Sequence, residues 1–279
     1  MIEEVRNIPL KDLVPFPGNP FSINEDYEFQ RSIELYGAIS PIVVRPIDGG
    51  KFEIVSGHRR AEATKRVEGV DRIASYVREM DDDTAIILLV DSNLHRKHIL
   101  PSEKAFAYKM KLEALSRQGQ RTDLYATCGR VVHKSRDMVA EDESVRQVQR
   151  YIRLTELSPQ LLQMVDDSKI AFSPAVELSY LTKKEQSDLV ETIDSEDRTP
   201  SHAQSIRMRK LSNEGRLDID KIFEIMTEEK ANQQEQIKLK TEKIKDYFPK
   251  GYTPKQMENM ILKLLEQWQR QRERNRDAR

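Results

Sequence analysis

The sequence predicts an α+β fold, in which a small mixed α/β unit over residues 1–98 precedes an all-α region. Two β-branched runs, 41–46 and 51–56, flank a turn at 48–50 that contains two glycines. Short apolar runs on either side of a glycine turn are typical of a β-hairpin. From Leu100 onward, apolar residues recur at helical spacing, which indicates a change of architecture.

The remaining elements of the α/β unit follow from helix breakers and from periodicity. Residues 8–20 contain four prolines and cannot form a regular helix, so we expect a short extended segment followed by turns. Helices are predicted at 24–36, 58–68 and 82–96, with a third strand at 73–77. Gly37 is expected to end the first of these helices.

The all-α region is predicted to be a series of amphipathic helices. Ser102, after Pro101, is the expected cap of the first one. The helices are expected at 102–117, 136–141, 144–154, 158–167, 173–180, 183–193 and 254–269, with a loop at 118–134. Thr253 is the expected cap of the last helix, and Gln256 completes a capping box.

Composition shifts divide the chain into four predicted parts. A polar stretch at 194–202 marks one boundary, and a Gln-, Glu- and Lys-rich patch at 228–238 is expected to be exposed. The parts are an α/β unit at 1–98, a helical unit at 99–195, linker and helices at 196–240, and a small helical segment with a basic tail at 241–279. The last helix has an apolar stripe typical of a core or a dimer seam: Met257, Ile261, Leu264 and Trp268.

Bulk composition excludes several classes of protein. Lysine plus arginine total 46 against 47 aspartates plus glutamates, so a DNA-binding face, if present, must be local. The single cysteine, Cys128, excludes an intrachain disulfide framework and fits a reducing cytosol. No stretch approaches the roughly 18 apolar residues of a membrane span, so we expect a cytoplasmic protein.

The stretch 51–60 is the strongest candidate for a binding site. It reads as a strand that ends at Gly57 and opens directly into a helix beginning with His58, Arg59 and Arg60. A helix N-terminus presents unpaired N–H groups and the positive end of its dipole, and arginine adds planar cationic donors. The pattern indicates a site for an anion, with phosphate favoured. Taken alone, it also fits a glycine turn followed by two solvated arginines.

A second candidate lies at the end of the predicted helix 82–96, where Asn93 and Arg96 are expected to share a helix face. An amide and a guanidinium together can hold a nucleotide phosphate or the hydration shell of its Mg²⁺ ion. A zinc site built from His58, His95 and His98 is not expected, because the usual ligand spacings are absent.

A third candidate is the pair of short helices predicted within 135–154. Val145, Val148 and Ile152 would form the apolar back of the second helix. Its front would carry Arg146, Gln147, Arg150 and Arg153, with no acidic residue among them. Two short helices with such a front describe a helix-turn-helix, because arginine suits guanine edges and phosphates and glutamine suits adenine. An ordinary amphipathic surface helix is the alternative interpretation.

The order of these segments resembles the ParB family of partition proteins over about residues 8–195. The blocks that carry the resemblance are 37–45, 54–60, 92–96, 101–105 and 169–175, with the predicted helix-turn-helix between the last two. The resemblance implies a CTP-binding N-terminal domain, a helix-turn-helix that reads a palindromic site on double-stranded DNA, and C-terminal homodimerisation. It also implies a ParA-type ATPase as partner and a nucleoid-associated protein.

The resemblance further implies roles for individual residues. The cytosine side of the nucleotide would face Ser40, Pro41 and Ile42, and the triphosphate would lie on Gly57, His58, Arg59 and Arg60. Asn93 and Arg96 would form the second phosphate element, with Mg²⁺ held through Asn93. Arg146, Gln147 and Arg150 would contact the DNA site, and Ser135 and Arg136 its backbone.

Two positions depart from the family pattern. His58 stands where the family usually has glutamate in its Gly-Glu-Arg-Arg motif, and Ser92 stands where it has the glutamate before the asparagine. Asp91 is one residue away, and a helix turns about 100° per residue, so it is not expected to substitute. Nucleotide binding is therefore the firmer expectation, and a weak CTPase activity is left open.

The sequence thus predicts a CTP-gated clamp on DNA that serves partition of a chromosome, plasmid or mobile element. One alternative is a helix-turn-helix transcription regulator without nucleotide switching. Another is an enzyme, either a ParB-domain nuclease or a protein on the related sulfiredoxin-type fold. The sulfiredoxin reading is disfavoured because Gly57 stands where its reactive cysteine would be.

Overall fold

The computed structural model describes residues 4–23, 26–96, 98–123, 143–228, 247–249 and 252–277. The chain divides into two compact units, residues 1–228 and residues 229–279. The four-part division predicted at residues 98, 195 and 240 remains a prediction.

A five-stranded mixed sheet forms the N-terminal part of the first unit. Its strands are β1 (Val5–Pro9), β2 (Leu13–Pro15), β3 (Ile42–Ile47), β4 (Lys51–Ser56) and β5 (Arg72–Val77). They lie side by side in the order β1-β5-β3-β4-β2. β3 pairs with β4 antiparallel, as predicted for a hairpin, and with β5 parallel. The edges are β1, antiparallel to β5, and β2, parallel to β4.

Three helices accompany the sheet: α1 (Tyr27–Tyr36), α2 (His58–Lys65) and α3 (Asp82–Leu94). Asp26 caps α1 by accepting hydrogen bonds from the backbone N–H groups of Glu28 and Phe29, and Gly37 ends that helix at a φ of 70°. Ile42, Ile54 and Ala61 belong to the core between the sheet and α2. Since α2 packs on the sheet here, the turn before it is held against the start of β3.

Seven helices complete the first unit as the structure describes it. They are α4 (Pro101–Asp123), α5 (Val145–Arg153), α6 (Pro159–Asp166), α7 (Phe172–Leu178), α8 (Lys183–Glu196), α9 (His202–Asn213) and α10 (Ile219–Thr227). The largest core cluster joins α6 to α10 and includes Leu161, Leu178, Leu189, Met208 and Ile222. A smaller cluster of Tyr108, Leu115 and Val148 packs α4 against α5. Helices α6 to α10 therefore share one core, and α4 and α5 pack around a second, smaller one.

Several sequence predictions differ from the structure. The proline-containing segment 8–20 includes part of β1 and all of β2 rather than one extended stretch. α4 continues to Asp123, so the loop predicted at 118–134 is wrong for its first residues. Ser102 does not cap α4, because the helix already begins at Pro101; the Ser102 hydroxyl donates to the Asp166 carboxylate at 2.5 Å. α3 ends at Leu94, which leaves Arg96 beyond the helix.

The second unit contains α11 (Pro254–Asp277). As predicted, Thr253 caps it: the Thr253 hydroxyl accepts from the Gln256 N–H, and the Gln256 side chain accepts from the Thr253 N–H at 2.8 Å. Met257 is buried, whereas several large apolar side chains of α11 are exposed: Met260, Leu262, Leu264, Leu265 and Trp268.

Some predicted features lie outside the described residues. These are the helix at 136–141, Cys128, Ser135 and Arg136, and nearly all of the polar patch at 228–238. Among the helices that the structure describes, none is long and apolar enough to cross a membrane.

Candidate anion site and helix-turn-helix surface

Gly57 forms a tight turn between β4 and α2. Its φ of 98° and ψ of 25° place it in the left-handed region, which a residue with a Cβ atom rarely adopts. A Cβ atom at this position would lie 2.6 Å from Cγ2 of Ile42, so close packing also demands glycine. Ala61 donates the first helical hydrogen bond, to the Gly57 carbonyl at 3.0 Å. The three N–H groups before it are those of His58, Arg59 and Arg60, which together with Gly57 we call the anion loop.

Arg60 ties the anion loop to the start of β3. Its Nη1 donates to the backbone carbonyls of Ser40 at 2.6 Å and Pro41 at 2.9 Å. Burial lowers the pKa of Arg60, although the guanidinium stays charged at any physiological pH. The structure thus brings the predicted cytosine strip and the predicted phosphate loop together. Ile42 is fully buried, backbone included, so of the predicted strip only Ser40 and Pro41 have surface that a ligand could contact.

Arg59 lies on the other side of the loop, against the N-terminus of α1. Its guanidinium is 4.6 Å from the ring centroid of Phe29, and Nη2 is 3.4 Å from the Asp26 carboxylate. The Nε–H of Arg59 is buried without a hydrogen-bond partner among the described residues. A pocket of about 330 Å³ between α1 and α2 opens beside this side chain. Because Arg59 lines this pocket, it places a cationic donor where an added anion could bind.

His58 is a buried member of the loop, with 5% of its surface exposed. Its Nε2 accepts a hydrogen bond from the backbone N–H of Phe16 at 3.3 Å. This nitrogen therefore carries no proton, and the imidazole is in its neutral form. Burial, with a smaller contribution from the positive charge of Arg96, lowers the pKa of His58 to about 4. At neutral pH His58 therefore adds no charge to the site, and it ties the loop to the residue that follows β2.

Arg96 approaches the anion loop from beyond the end of α3. Its guanidinium is 5.5 Å from the ring centroid of Phe21. Burial, and then the like charge of Arg59, lower the pKa of Arg96, whereas Glu103 raises it. Arg96 is repelled by the charge of Arg59, and its own charge lowers the pKa of His58. These three residues of the predicted phosphate site therefore interact electrostatically. A polyanion placed there would relieve this repulsion.

Asn93 is buried near the end of α3, and its amide nitrogen donates to the Leu89 carbonyl at 2.7 Å. Asp91 is engaged elsewhere, since its carboxylate pairs with the buried ammonium of Lys111 at 2.7 Å. This pair joins α3 to α4. It agrees with the expectation that Asp91 does not replace the glutamate missing at Ser92.

The helix α5 carries the predicted DNA-contacting residues that the structure describes. Ser144 caps it by accepting from the Gln147 N–H at 3.2 Å, and Val148 is buried against α4. Arg146 is exposed, whereas Gln147 is partly buried. Arg150 is half-buried: it donates to Gln147 at 3.2 Å and to Ser173 at 2.9 Å. The first turn of α5 is thus the part of the predicted front that is most open to a partner.

Arg153 is engaged within the protein at the far end of α5. It donates to the Ser179 carbonyl at 2.8 Å, and its guanidinium is 4.2 Å from the ring centroid of Tyr180. Arg209 of α9 lies 3.6 Å from the same centroid and pairs with Glu177. Sequence reasoning missed this arrangement, because it unites residues far apart in the chain. Arg153 holds α5 in place as well as being a predicted DNA contact.

Comparisons with known proteins bear on residues 2–94, which match the family model of the ParB N-terminal domain. A nucleoid occlusion protein of Geobacillus thermodenitrificans (strain NG80-2) is 36% identical over 115 residues, which are 40% of each chain. Another, from Listeria monocytogenes serotype 4b (strain CLIP80459), is 30% identical over 115 residues, again 40% of each chain. The matched part is thus about two fifths of the length of these relatives.

Two solved structures are similar over more of the chain. One is the C-terminally truncated chromosome-partitioning protein ParB from Caulobacter crescentus complexed to the centromeric parS site, at 20% identity and a TM-score of 0.42 over 75% of this chain and 99% of that one. The other is a pNOB8-like ParB N-domain, at 14% identity and a TM-score of 0.45 over 81% and 92%. Neither similarity identifies a ligand of this chain.

Proposed function

We propose that this chain is a CTP-gated protein that binds a palindromic site on double-stranded DNA, a proposal supported by the match of residues 2–94 to the ParB N-terminal domain. Its role would be partition of a chromosome, plasmid or mobile element. The observation that carries the proposal is the pair of hydrogen bonds from Arg60 to the carbonyls of Ser40 and Pro41. These hydrogen bonds connect Ser40 and Pro41, which could contact the base of a nucleotide, to the anion loop, which could bind its phosphates.

In this proposal the nucleotide spans the two segments that Arg60 connects. Its triphosphate would accept hydrogen bonds from the N–H groups of the anion loop and would pair with the guanidiniums of Arg59 and Arg96. Several cations in one half-buried place favour a polyanion over a single carboxylate. Mg²⁺ would enter with the triphosphate beside Asn93 and keep most of its water ligands.

DNA would be contacted by the first two turns of α5. Arg146, Gln147 and Arg150 are the proposed base and phosphate contacts, since arginine and glutamine offer paired donors and acceptors to base edges. Arg153, Ser135 and Arg136 are proposed as further DNA-contacting residues, the last two at the backbone. An association with the nucleoid in the cytoplasm would follow from such binding.

Homodimerisation would supply the two-fold symmetry that a palindromic site needs. The exposed apolar side chains of α11 are the proposed seam, because an amphipathic helix with an exposed apolar stripe is stabilised by a second copy. A ParA-type ATPase is the proposed partner in partition. Analytical ultracentrifugation of the chain with and without Leu264→Glu tests the seam, and a monomer in both cases would remove it.

A second candidate function is a helix-turn-helix transcription regulator without a nucleotide switch. The observation that favours it is the departure at two family positions, with a buried neutral His58 and a serine at position 92. Genome-wide mapping of bound DNA separates the two candidates. One sharp palindromic peak with flanks that spread only when the anion loop is intact supports the clamp, whereas scattered promoter peaks without spreading support the regulator.

A further inference from the structure

Glu103, in the first turn of α4, is a buried carboxylate that joins the start of this helix to the distant segment 21–22. Its Oε1 accepts from the Ser22 N–H at 2.8 Å and from the Ser22 hydroxyl at 2.6 Å, and its Oε2 accepts from the Leu100 N–H at 3.0 Å. Only 7% of the residue is exposed. Three hydrogen-bond donors on one buried carboxylate fix its position.

Phe21 and Ser22, which Glu103 holds, form the surface on which Arg96 lies. Arg96 Nη1 is 3.5 Å from the Ser22 carbonyl oxygen, and its guanidinium lies over the Phe21 ring. Glu103 also acts on Arg96 through space, because its negative charge opposes the lowering of the Arg96 pKa by burial and by Arg59. Both effects keep a cation beside the anion loop.

We propose that Glu103 is a positioning residue for the anion site, which acts by holding the 21–22 segment and thereby the guanidinium of Arg96. The proposal rests on the proposed nucleotide function and adds a residue that lies outside the predicted site. It also places the control of the site on α4, a helix of the region that is proposed to bind DNA.

The neighbours of Glu103 on α4 extend this connection to the helical region. Ser102 donates to Asp166 of α6 from its N–H at 3.0 Å and from its hydroxyl at 2.5 Å. Lys104 pairs with Glu143 at 2.5 Å and lies 5.1 Å from the ring centroid of Tyr151 in α5. The helical turn that holds the 21–22 segment through Glu103 thus also contacts α5 and α6, through side chains other than Glu103.

The test is calorimetric titration of the full chain with CTP and Mg²⁺, and separately with inorganic triphosphate and Mg²⁺. The variant Glu103→Gln keeps the size of the side chain but loses its charge and turns one acceptor into a donor. We expect it to bind either probe about tenfold more weakly, the size expected for one lost charge-assisted hydrogen bond. In an Arg96→Ala background the same change should cause no further loss, because Glu103 acts through Arg96.

The matched control is Asp166→Asn, which likewise removes a charge and turns one of the two acceptors used by the adjacent residue Ser102 into a donor, but acts on α6 and not on the 21–22 segment. It should lower the melting temperature as Glu103→Gln does, but leave the affinity for both probes within about twofold. The positioning role would be overturned if Glu103→Gln bound the probes as the wild type does. It would also be overturned if Glu103→Gln lost as much affinity in the Arg96→Ala background as it does alone. In both cases binding by the wild type would leave the proposed function standing. A wild-type chain that binds neither probe would overturn both.

Discussion

Gly57 lies so close to Ile42 that the two residues set the shape of the candidate site. The nearest approach of a Cβ atom at Gly57 would be 2.6 Å, to the Cγ2 atom of Ile42. Ile42 is itself fully buried in the core under the sheet, so it cannot give way cheaply. The turn that opens the anion loop is therefore fixed by the core and does not depend on a ligand.

Gly57→Ala is expected to destabilise the fold by about 3 kcal/mol, since it adds both left-handed strain and a clash in a packed core. It should also abolish nucleotide binding. Gly49→Ala is the matched control: Gly49 has a φ of +80° but nothing within 4 Å of an added Cβ atom. Chemical denaturation measures both variants, and equal losses of stability would show that packing on Ile42 does not matter.

Arg60→Lys is expected to weaken CTP binding by at least about tenfold. The Nη1 of Arg60 donates to both carbonyls and leaves the other N–H groups of the guanidinium for a ligand, whereas an ammonium that held both carbonyls would have one donor left. Arg72→Lys serves as control. Arg72 lies on β5 and donates to the Asn7 carbonyl at 3.3 Å, so it also contacts a backbone carbonyl but is not part of the anion site, and the change should leave affinity unaltered. Equilibrium titration with CTP and Mg²⁺ gives both values. If Arg60→Lys binds as the wild type does, the bridge from the loop to Ser40 and Pro41 is not needed.

His58 predicts a loss of stability in acid. Its pKa is about 4 in the folded chain, against 6.5 for a histidine exposed to water, so the unfolded state binds more protons between these two values. The contribution of His58 to stability is therefore complete above about pH 6.5 and falls as the pH drops to about 4, by about 3 kcal/mol in total. Urea denaturation between pH 4 and 7.5 measures it. His58→Gln, which cannot titrate, should show a shallower dependence, and an identical slope would contradict the assignment.

Two arginines at opposite ends of α5 are expected to behave differently. Arg146→Ala should weaken binding to the mapped DNA site by about tenfold and reduce the salt dependence of binding, with little change in stability. Arg153→Ala should lower stability by about 2 kcal/mol, because it loses a hydrogen bond to Ser179 and its stacking on Tyr180. DNA-binding isotherms at several salt concentrations, together with thermal unfolding, distinguish the two. A loss of stability in Arg146→Ala would show that the Arg146 side chain helps to hold α5 in place, which would contradict a role in DNA contact alone.

Local sequence patterns predicted those parts of the fold and site that local interactions determine. The hairpin of β3 and β4 follows from its β-branched runs and its glycine turn, and the cap at Thr253 follows from the spacing to Gln256. The edge strands β1 and β2 were not predicted as strands of the sheet, because each is defined by pairing with a distant strand and each ends in a proline. Patterns of alternation carry no information on such pairing.

The same distinction applies to the site. Gly57 and Arg60 are neighbours in sequence, and their motif could be read directly. Glu103 was missed because its partner Ser22 is 81 residues away. One signal was present: a glutamate at the third position of a helix, which here accepts from the Leu100 N–H as in a capping box.

Preference of the anion site for CTP over other nucleoside triphosphates is the property that most directly defines a CTP-gated protein. Calorimetric titration of the full chain with CTP, ATP, GTP and UTP, each with Mg²⁺ and with or without the mapped DNA site, measures this preference. We predict saturable binding of CTP, at least about tenfold tighter than that of the other three, and a change in its affinity when DNA is present. Equal binding of all four nucleotides, or binding of none, would contradict a CTP-gated protein.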